Sequence, residues 1–198
     1  DITMRIIHAQ FETCLSVGDK TLLSSFLLIL QNMCCFSNVH STLIGLNILE
    51  LIAQVASYAI TEKNSELAVG VLKIMQAFLQ APEQAAHLIT LEYVQILMTL
   101  LVTDNEVVLI QCVRVATTLT TLLPLRHFIQ LSKIVRTMAR TVNELSEISI
   151  KLSKEFAKFF VNVTLGETAT EMEVLVEYDI HTALLKLMNG QDTHTTTI

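Results

Sequence analysis

A long stretch without charged side chains is the strongest constraint on the fold of this chain. From Thr21 to Leu49 the sequence contains no Asp, Glu, Lys or Arg. Such a stretch is typical of a bilayer segment or of a helix that neighbours cover on several sides. Polar residues such as Asn32 and His40 interrupt the uncharged stretch. Its longest unbroken apolar run, Phe26 to Leu30, is far shorter than the ~20 residues that span a bilayer. We therefore expect no membrane span, and a helix buried on several sides that ends near Phe36.

The composition indicates a folded protein with a large buried surface. Apolar residues make up 52% of the chain and charged residues 16%, which excludes a disordered chain. The net charge of -6 argues against a general binder of nucleic acid or anionic membranes. The chain begins with Asp1 and shows no signal peptide, and we interpret it as part of a longer polypeptide.

Apolar periodicity predicts helices throughout. The chain has only 5 Gly and 2 Pro, and apolar residues recur at three- and four-residue spacing. The pattern is clearest in Ser41–Ile60, Leu91–Leu101 and Asn143–Thr164, and Glu147 precedes Lys151 by one helical turn, so we expect these two to pair. No segment has the alternation of a strand. The sequence predicts an all-α protein.

Helix ends recur at a regular spacing. Similar tetrapeptides occur around positions 32, 77, 121 and 162. They are Leu-Gln-Asn-Met, Met-Gln-Ala-Phe, Leu-Thr-Thr-Leu and Phe-Val-Asn-Val. Asp19 and Asn64 stand at the same distance before the first two, where they would cap the helices. Repeats of roughly 40–47 residues built from two or three helices are typical of α-solenoids.

Two segments resemble armadillo repeats. They are PEQAAHLITLEYVQILMTLLVTDNEVV (Pro82 to Val108) and EMEVLVEYDIHTALLKLMNGQD (Glu171 to Asp192), and Asp179-Ile180 stands where the family has Gly-Ile. LILQNM and FFVNV are similar to the end of the family's third helix. The other repeats lack a clear short first helix and are closer to HEAT repeats.

This resemblance implies a right-handed α-solenoid of about four to five armadillo/HEAT-like repeats. We expect a single domain, 1–198, with approximate repeats 1–36, 37–81, 82–123, 124–166 and an incomplete 167–198. Neighbouring repeats of the same polypeptide would continue the stack.

The resemblance also implies a partner-binding face. In the family, Asn residues of the third helix bind the backbone of an extended peptide, and Asn32 and Asn162 stand at those positions. The chain has no Trp, so the Trp–Asn array of nuclear-import receptors is absent. We expect polar side chains of the second helix of each pair to contact a partner. They are Gln31, Asn32, Gln111, Arg114, Thr118, Lys151 and Asn162.

A basic stripe is the clearest charge feature of the sequence. Arg126, Lys133, Arg136 and Arg140 share one helical face, and Arg114 of the preceding helix could approach them. The stripe could bind an acidic peptide or a phosphate, or it could be an ordinary solvated face.

No pattern predicts catalysis, a cofactor or a metal site. The sequence lacks a nucleophile elbow, a phosphate-binding glycine loop and metal-ligand spacings of His or Cys. The four cysteines, Cys14, Cys34, Cys35 and Cys112, fit reduced, buried thiols.

The sequence therefore predicts a non-enzymatic scaffold that binds a peptide or helical segment of another protein, which could be acidic. The alternative is a structural packing element of a large assembly without a free groove. Contact of the basic stripe with phosphoinositides or nucleic acid is a third idea. The reduced cysteines fit a cytoplasmic protein, and the resemblance implies a part of cytoskeletal, ciliary, trafficking or signalling assemblies.

Overall fold

The computed structural model describes residues 2–80, 91–122, 128–165 and 176–192, and these contain ten helices and no strand. The all-α prediction is confirmed. The helices are α1 (Ile2–Val17), α2 (Lys20–Cys34), α3 (Ser37–Gly45), α4 (Ile48–Thr61), α5 (Ser65–Phe78), α6 (Leu91–Leu100), α7 (Glu106–Leu122), α8 (Phe128–Glu144), α9 (Ile150–Thr164) and α10 (Ile180–Asp192).

Short polar side chains fix where several helices begin. Asp19 Oδ1 accepts a hydrogen bond from the Leu22 backbone N at 3.0 Å at the start of α2. Asn64 accepts from the backbone N of Glu66 and of Leu67 at the start of α5. Each cap satisfies backbone donors that have no partner within the helix. The prediction of caps at Asp19 and Asn64 is confirmed.

The chain divides into two compact units, residues 1–111 and 112–198. In unit 1, α2 packs along α5, and α4 packs against both α5 and α6. The contact between α2 and α5 is close at Gly70, where an added Cβ would lie 2.9 Å from Leu27 Cδ1. The core contains side chains such as Ile52, Leu72 and Tyr93, none of which is exposed.

Unit 2 is built from the later part of α7 together with α8, α9 and α10. α10 packs on both α8 and α9. Phe156, Phe159 and Phe160 of α9 are fully buried, and the rings of Phe159 and Phe160 meet edge to face with centroids 5.3 Å apart. Lys186 Nζ of α10 donates to the backbone oxygens of Asn143, at 2.8 Å, and Leu145.

Two residues with a left-handed backbone conformation each directly precede a helix. Asn47 has φ 54° and Asp179 has φ 59°, and α4 and α10 begin at the next residue, Ile48 and Ile180. Asn and Asp tolerate this conformation better than most residues. At Asn47 the chain turns by 82° between α3 and α4. The prediction of one helix over Ser41–Ile60 was therefore wrong, as was the expectation that repeat 37–81 has no short first helix.

A second helix boundary also differs from the prediction. α8 ends at Glu144 and α9 begins at Ile150, so the predicted helix Asn143–Thr164 is interrupted. Ser149 Oγ accepts from the Leu152 backbone N at 3.2 Å and caps α9. Glu147 thus precedes the helix, and no ion pair joins it to Lys151 in the described residues.

The uncharged stretch is only partly buried. α2 ends at Cys34, close to the predicted position, and Leu23, Leu27 and Leu30 are buried. The expected burial on several sides was wrong, because Leu28 is 58% exposed and Phe36 is 63% exposed. Uncharged polar residues accompany Leu28 on the exposed face of α2, and Phe36 follows that helix.

No single described helix is long and apolar enough to cross a membrane; α3 and α4 reach that length and composition only as a bent pair. The repeat boundaries and the single-domain assignment stay predictions.

Candidate partner-binding site

A groove in unit 1 runs between α2 and α5. Its volume is about 750 Å³. Lys20 and Thr21, at the start of α2, line it together with Asn64 and Ser65, at the start of α5, so the two helices begin at the same end of the groove. The other lining residues are Ser24, Ser25, Leu27, Leu28, Gln31, Glu66, Val69, Gly70, Lys73 and Val107.

The groove offers apolar and uncharged polar contacts more than charge. Leu28 and Val107, both large and apolar, are 58% and 63% exposed. Lys20 is paired with Glu62 at an Nζ–Oε2 distance of 3.0 Å, and the hydrogen bond and charge of Glu62 raise the pKa of Lys20. Apolar surface beside uncharged donors and acceptors is typical of binding clefts.

Gly70 makes room for this groove. It occupies the middle of α5, where glycine is normally unfavourable. An added Cβ would lie 2.9 Å from Leu27 Cδ1, so a larger residue would displace the buried Leu27 side chain. The glycine therefore allows the close packing of Leu27 against α5.

Of the predicted contact residues of unit 1, Gln31 lines this groove and Asn32 and Gln111 do not. Gln31 is half-buried and lines it, and Asn32 is exposed on α2. Gln111 of α7 donates from Nε2 to Gln76 Oε1 of α5 at 2.7 Å. Gln76 was missed as a site residue, although it stands at the same place as Gln31 in the recurring tetrapeptides. The contact joins residues that lie 35 positions apart in the sequence, which is less than the predicted repeat spacing.

In unit 2 a buried carboxylate joins two cations. Arg114 of α7 donates from Nε and Nη2 to Glu155 Oε1 of α9, at 3.2 and 2.9 Å. Lys158 Nζ lies 3.5 Å from Glu155 Oε2. The side chain of Glu155 is only 11% exposed, whereas Arg114 and Lys158 are 43% and 64% exposed. We call these three residues the Glu155 triad.

The triad holds the carboxylate in its charged form. Burial raises the pKa of Glu155, but the hydrogen bonds and the charge of Arg114, together with Lys158, outweigh burial and leave the pKa below its ordinary value. Glu155 was missed by the sequence analysis, because its partner lies 41 residues away.

A second polar contact joins the same two helices. Asn162 Nδ2 of α9 donates to Thr121 Oγ1 of α7 at 3.2 Å. These two residues stand at equivalent recurring positions in the sequence, but their contact was not predicted. Thr118 Oγ1 donates to the backbone oxygen of Arg114 at 3.0 Å and is thereby engaged within its own helix. Lys151 is exposed on α9.

Two cations of the predicted basic stripe have partners within unit 2. Arg140 pairs with Glu144 at 2.7 Å, and the Arg136 guanidinium lies 5.9 Å from the centre of the Tyr178 ring. Lys133 is exposed, and Arg126 lies outside the described residues. Arg114, which could have approached the stripe, pairs with Glu155 instead.

The cysteines are free thiols. Cys14, Cys34 and Cys112 are buried, as predicted, and burial raises the pKa of Cys34 to about 12. The prediction was wrong for Cys35, which is exposed. Within the described part of the chain, no three or more His, Cys, Asp or Glu side chains come together as a metal site.

Comparison of the chain with family models, with curated protein sequences and with solved structures finds no match. The armadillo/HEAT resemblance rests on the sequence segments alone and stays a prediction.

Proposed function

We propose that this chain is a non-enzymatic scaffold of armadillo/HEAT-like helical repeats that binds a segment of a partner protein. The observation that carries the proposal is the groove between α2 and α5, with Leu28 and Val107 exposed among uncharged polar side chains. A segment in this groove would bury apolar surface and find hydrogen-bond partners such as Gln31 and Ser24.

The packing of unit 1 supports a repeat architecture. Helices α1, α4 and α6 follow one another in contact, and α2 packs along α5 on the other side of the hairpins. This alternation of two rows is what stacked helical pairs produce. The left-handed residues Asn47 and Asp179 lie about three repeat lengths apart, each before an Ile that begins a helix.

A display library of random peptides, selected on the purified chain, tests the proposal. We expect selected peptides to lose binding to the Val107→Glu variant, because the substitution puts a charge at the exposed apolar contact of the groove. Val17→Glu is the matched control, since Val17 is 75% exposed and does not line the groove. Failure to select any peptide, or equal binding to both variants, would overturn the proposed groove.

The second candidate function is a packing element within a larger assembly. Large apolar side chains exposed away from the groove favour it, among them Val102 at 78%, Leu165 at 67% and Met188 at 67%. Light scattering separates the two functions. A monodisperse chain supports a free groove, and aggregation that only a neighbouring protein relieves supports packing.

A further inference from the structure

The exposed face of α9 carries a row of lysines. Lys151, Lys154 and Lys158 are exposed and follow one another at spacings of three and four, so they lie on one side of the helix. Val161, 53% exposed, continues the same row, and Leu165, 67% exposed, follows directly after the end of α9. We call these five residues the α9 face.

The described residues supply little negative charge to this row. Lys158 contacts Glu155, which Arg114 also binds, and neither Lys151 nor Lys154 forms an ion pair there. Like charges one turn apart on a helix repel each other. An anionic ligand would reduce this repulsion, which the described residues compensate only at Lys158.

The Glu155 triad restricts the side chains of the cations at one side of this row. Because the buried carboxylate holds both Arg114 and Lys158, these long side chains lose less freedom when a ligand binds. Arg114 retains one nitrogen, Nη1, that makes no hydrogen bond to Glu155. The triad therefore places two cations side by side at the flank of α9 toward α7.

We infer that the α9 face and Arg114 bind an acidic segment of a partner protein, with its carboxylates on the lysines and an apolar residue on Val161 and Leu165. This inference rests on the proposed scaffold function and names the chemistry of one partner. Charge complementarity between the lysines and the acidic segment supports the inference. The apolar end of the row favours a peptide that contains both acidic and apolar residues.

A membrane or a nucleic acid fits this face less well. The whole chain has a net charge of -6, which opposes a large polyanion. The fork of Arg114, the side-chain geometry best suited to phosphate, is already turned to Glu155. A short segment can bind the local row without approaching the acidic remainder of the protein.

Fluorescence anisotropy with labelled peptides tests the inference. The peptides share length and apolar content, and their variable positions carry Glu, phosphoserine or Gln. We expect the purified chain to bind the Glu peptides more tightly than the Gln peptides, and phosphoserine peptides that bind much more tightly than the Glu peptides would overturn the assignment to carboxylates. Affinity should weaken as salt is added. Lys151→Gln, Lys154→Gln and Lys158→Gln together should reduce it about tenfold or more.

The basic stripe on α8 supplies the matched control. Lys133→Gln, Arg136→Gln and Arg140→Gln together remove the same number of charges from the same unit and should leave peptide affinity unchanged. Replacing the three lysines of the α9 face by arginine should retain binding. This result would show that the glutamine variant loses affinity because it loses charge and not because it fails to fold.

Three results would overturn the inference: equal binding of the Gln peptides, loss of binding in the α8 variant alone, or tighter binding to anionic vesicles or DNA than to the peptides. Neutral peptides that bind the α2–α5 groove in the display experiment would still support the scaffold function in that case.

Discussion

The two units join neighbouring helices with different chemistry. In unit 1 the side chains of Gln76 and Gln111 meet as a neutral pair, 2.7 Å apart. In unit 2 the corresponding contact between α7 and α9 is the charged Glu155 triad. A neutral hydrogen bond is insensitive to salt and to mild acid, whereas the triad depends on both. Changes of pH and ionic strength should therefore act on the contact between α7 and α9 more than on the contact between α5 and α7.

The largest expected effect is on the aromatic core of unit 2. Phe159→Ala should lower the free energy of unfolding by about 3–5 kcal/mol, because it leaves a cavity and removes the ring contact with Phe160. Phe36→Ala, at a ring that is 63% exposed, is the control. Urea denaturation followed by circular dichroism measures both. Similar losses in the two variants would contradict the buried position of Phe159.

The second-largest loss of stability is expected in unit 1. Gly70→Val should cost about 1–3 kcal/mol, because the new side chain overlaps the buried Leu27 side chain, which must shift. Gly45→Val is the matched control, since no atom lies within 4 Å of an added Cβ there. Thermal unfolding of the two variants decides the point, and an equal shift of the midpoint would show that the close approach is absent.

A smaller loss of stability, which should depend on pH, is expected for the Glu155 triad. Glu155→Gln should cost about 1–2 kcal/mol at neutral pH by weakening the triad. Because the pKa of Glu155 is lowered in the folded protein, its contribution is complete above the unfolded value of about 4.3 and is lost as the pH falls below it, through the folded pKa. The difference in stability between wild type and variant should therefore shrink in acid. A difference that is constant from neutral to strongly acidic pH would refute this.

The smallest effect is expected for the neutral pair. Gln76→Ala should cost about 1 kcal/mol, the value of one partly buried hydrogen bond, and the loss should be the same across the acidic pH range. The same pH series used for Glu155 measures it. A loss that grows or shrinks with pH would show that unit 1 is not the neutral counterpart of unit 2.

The features predicted correctly from the sequence are local ones. Helical periodicity and the caps at Asp19 and Asn64 depend on residues within one or two turns, so the sequence contains all the information they need. The turn at Asn47 was missed because its apolar pattern continues across the break, and only the left-handed backbone of one residue marks it.

The candidate site depends on partners that are distant in sequence. Periodicity placed Arg114 on a polar face but could not show that Glu155, 41 residues later, holds its guanidinium. It likewise could not show that Arg140 is paired with Glu144 and that Arg136 lies over a ring, whereas Lys151 and Lys154 form no ion pair with a described residue.

Lys186 has a consequence for the order in which unit 2 folds. Its ammonium group supplies hydrogen bonds to two carbonyls where α8 ends, at Asn143 and Leu145. Those carbonyls must rely on water until α10 docks. We therefore expect the end of α8 to acquire its final hydrogen bonds only when a segment some forty residues later in the sequence docks.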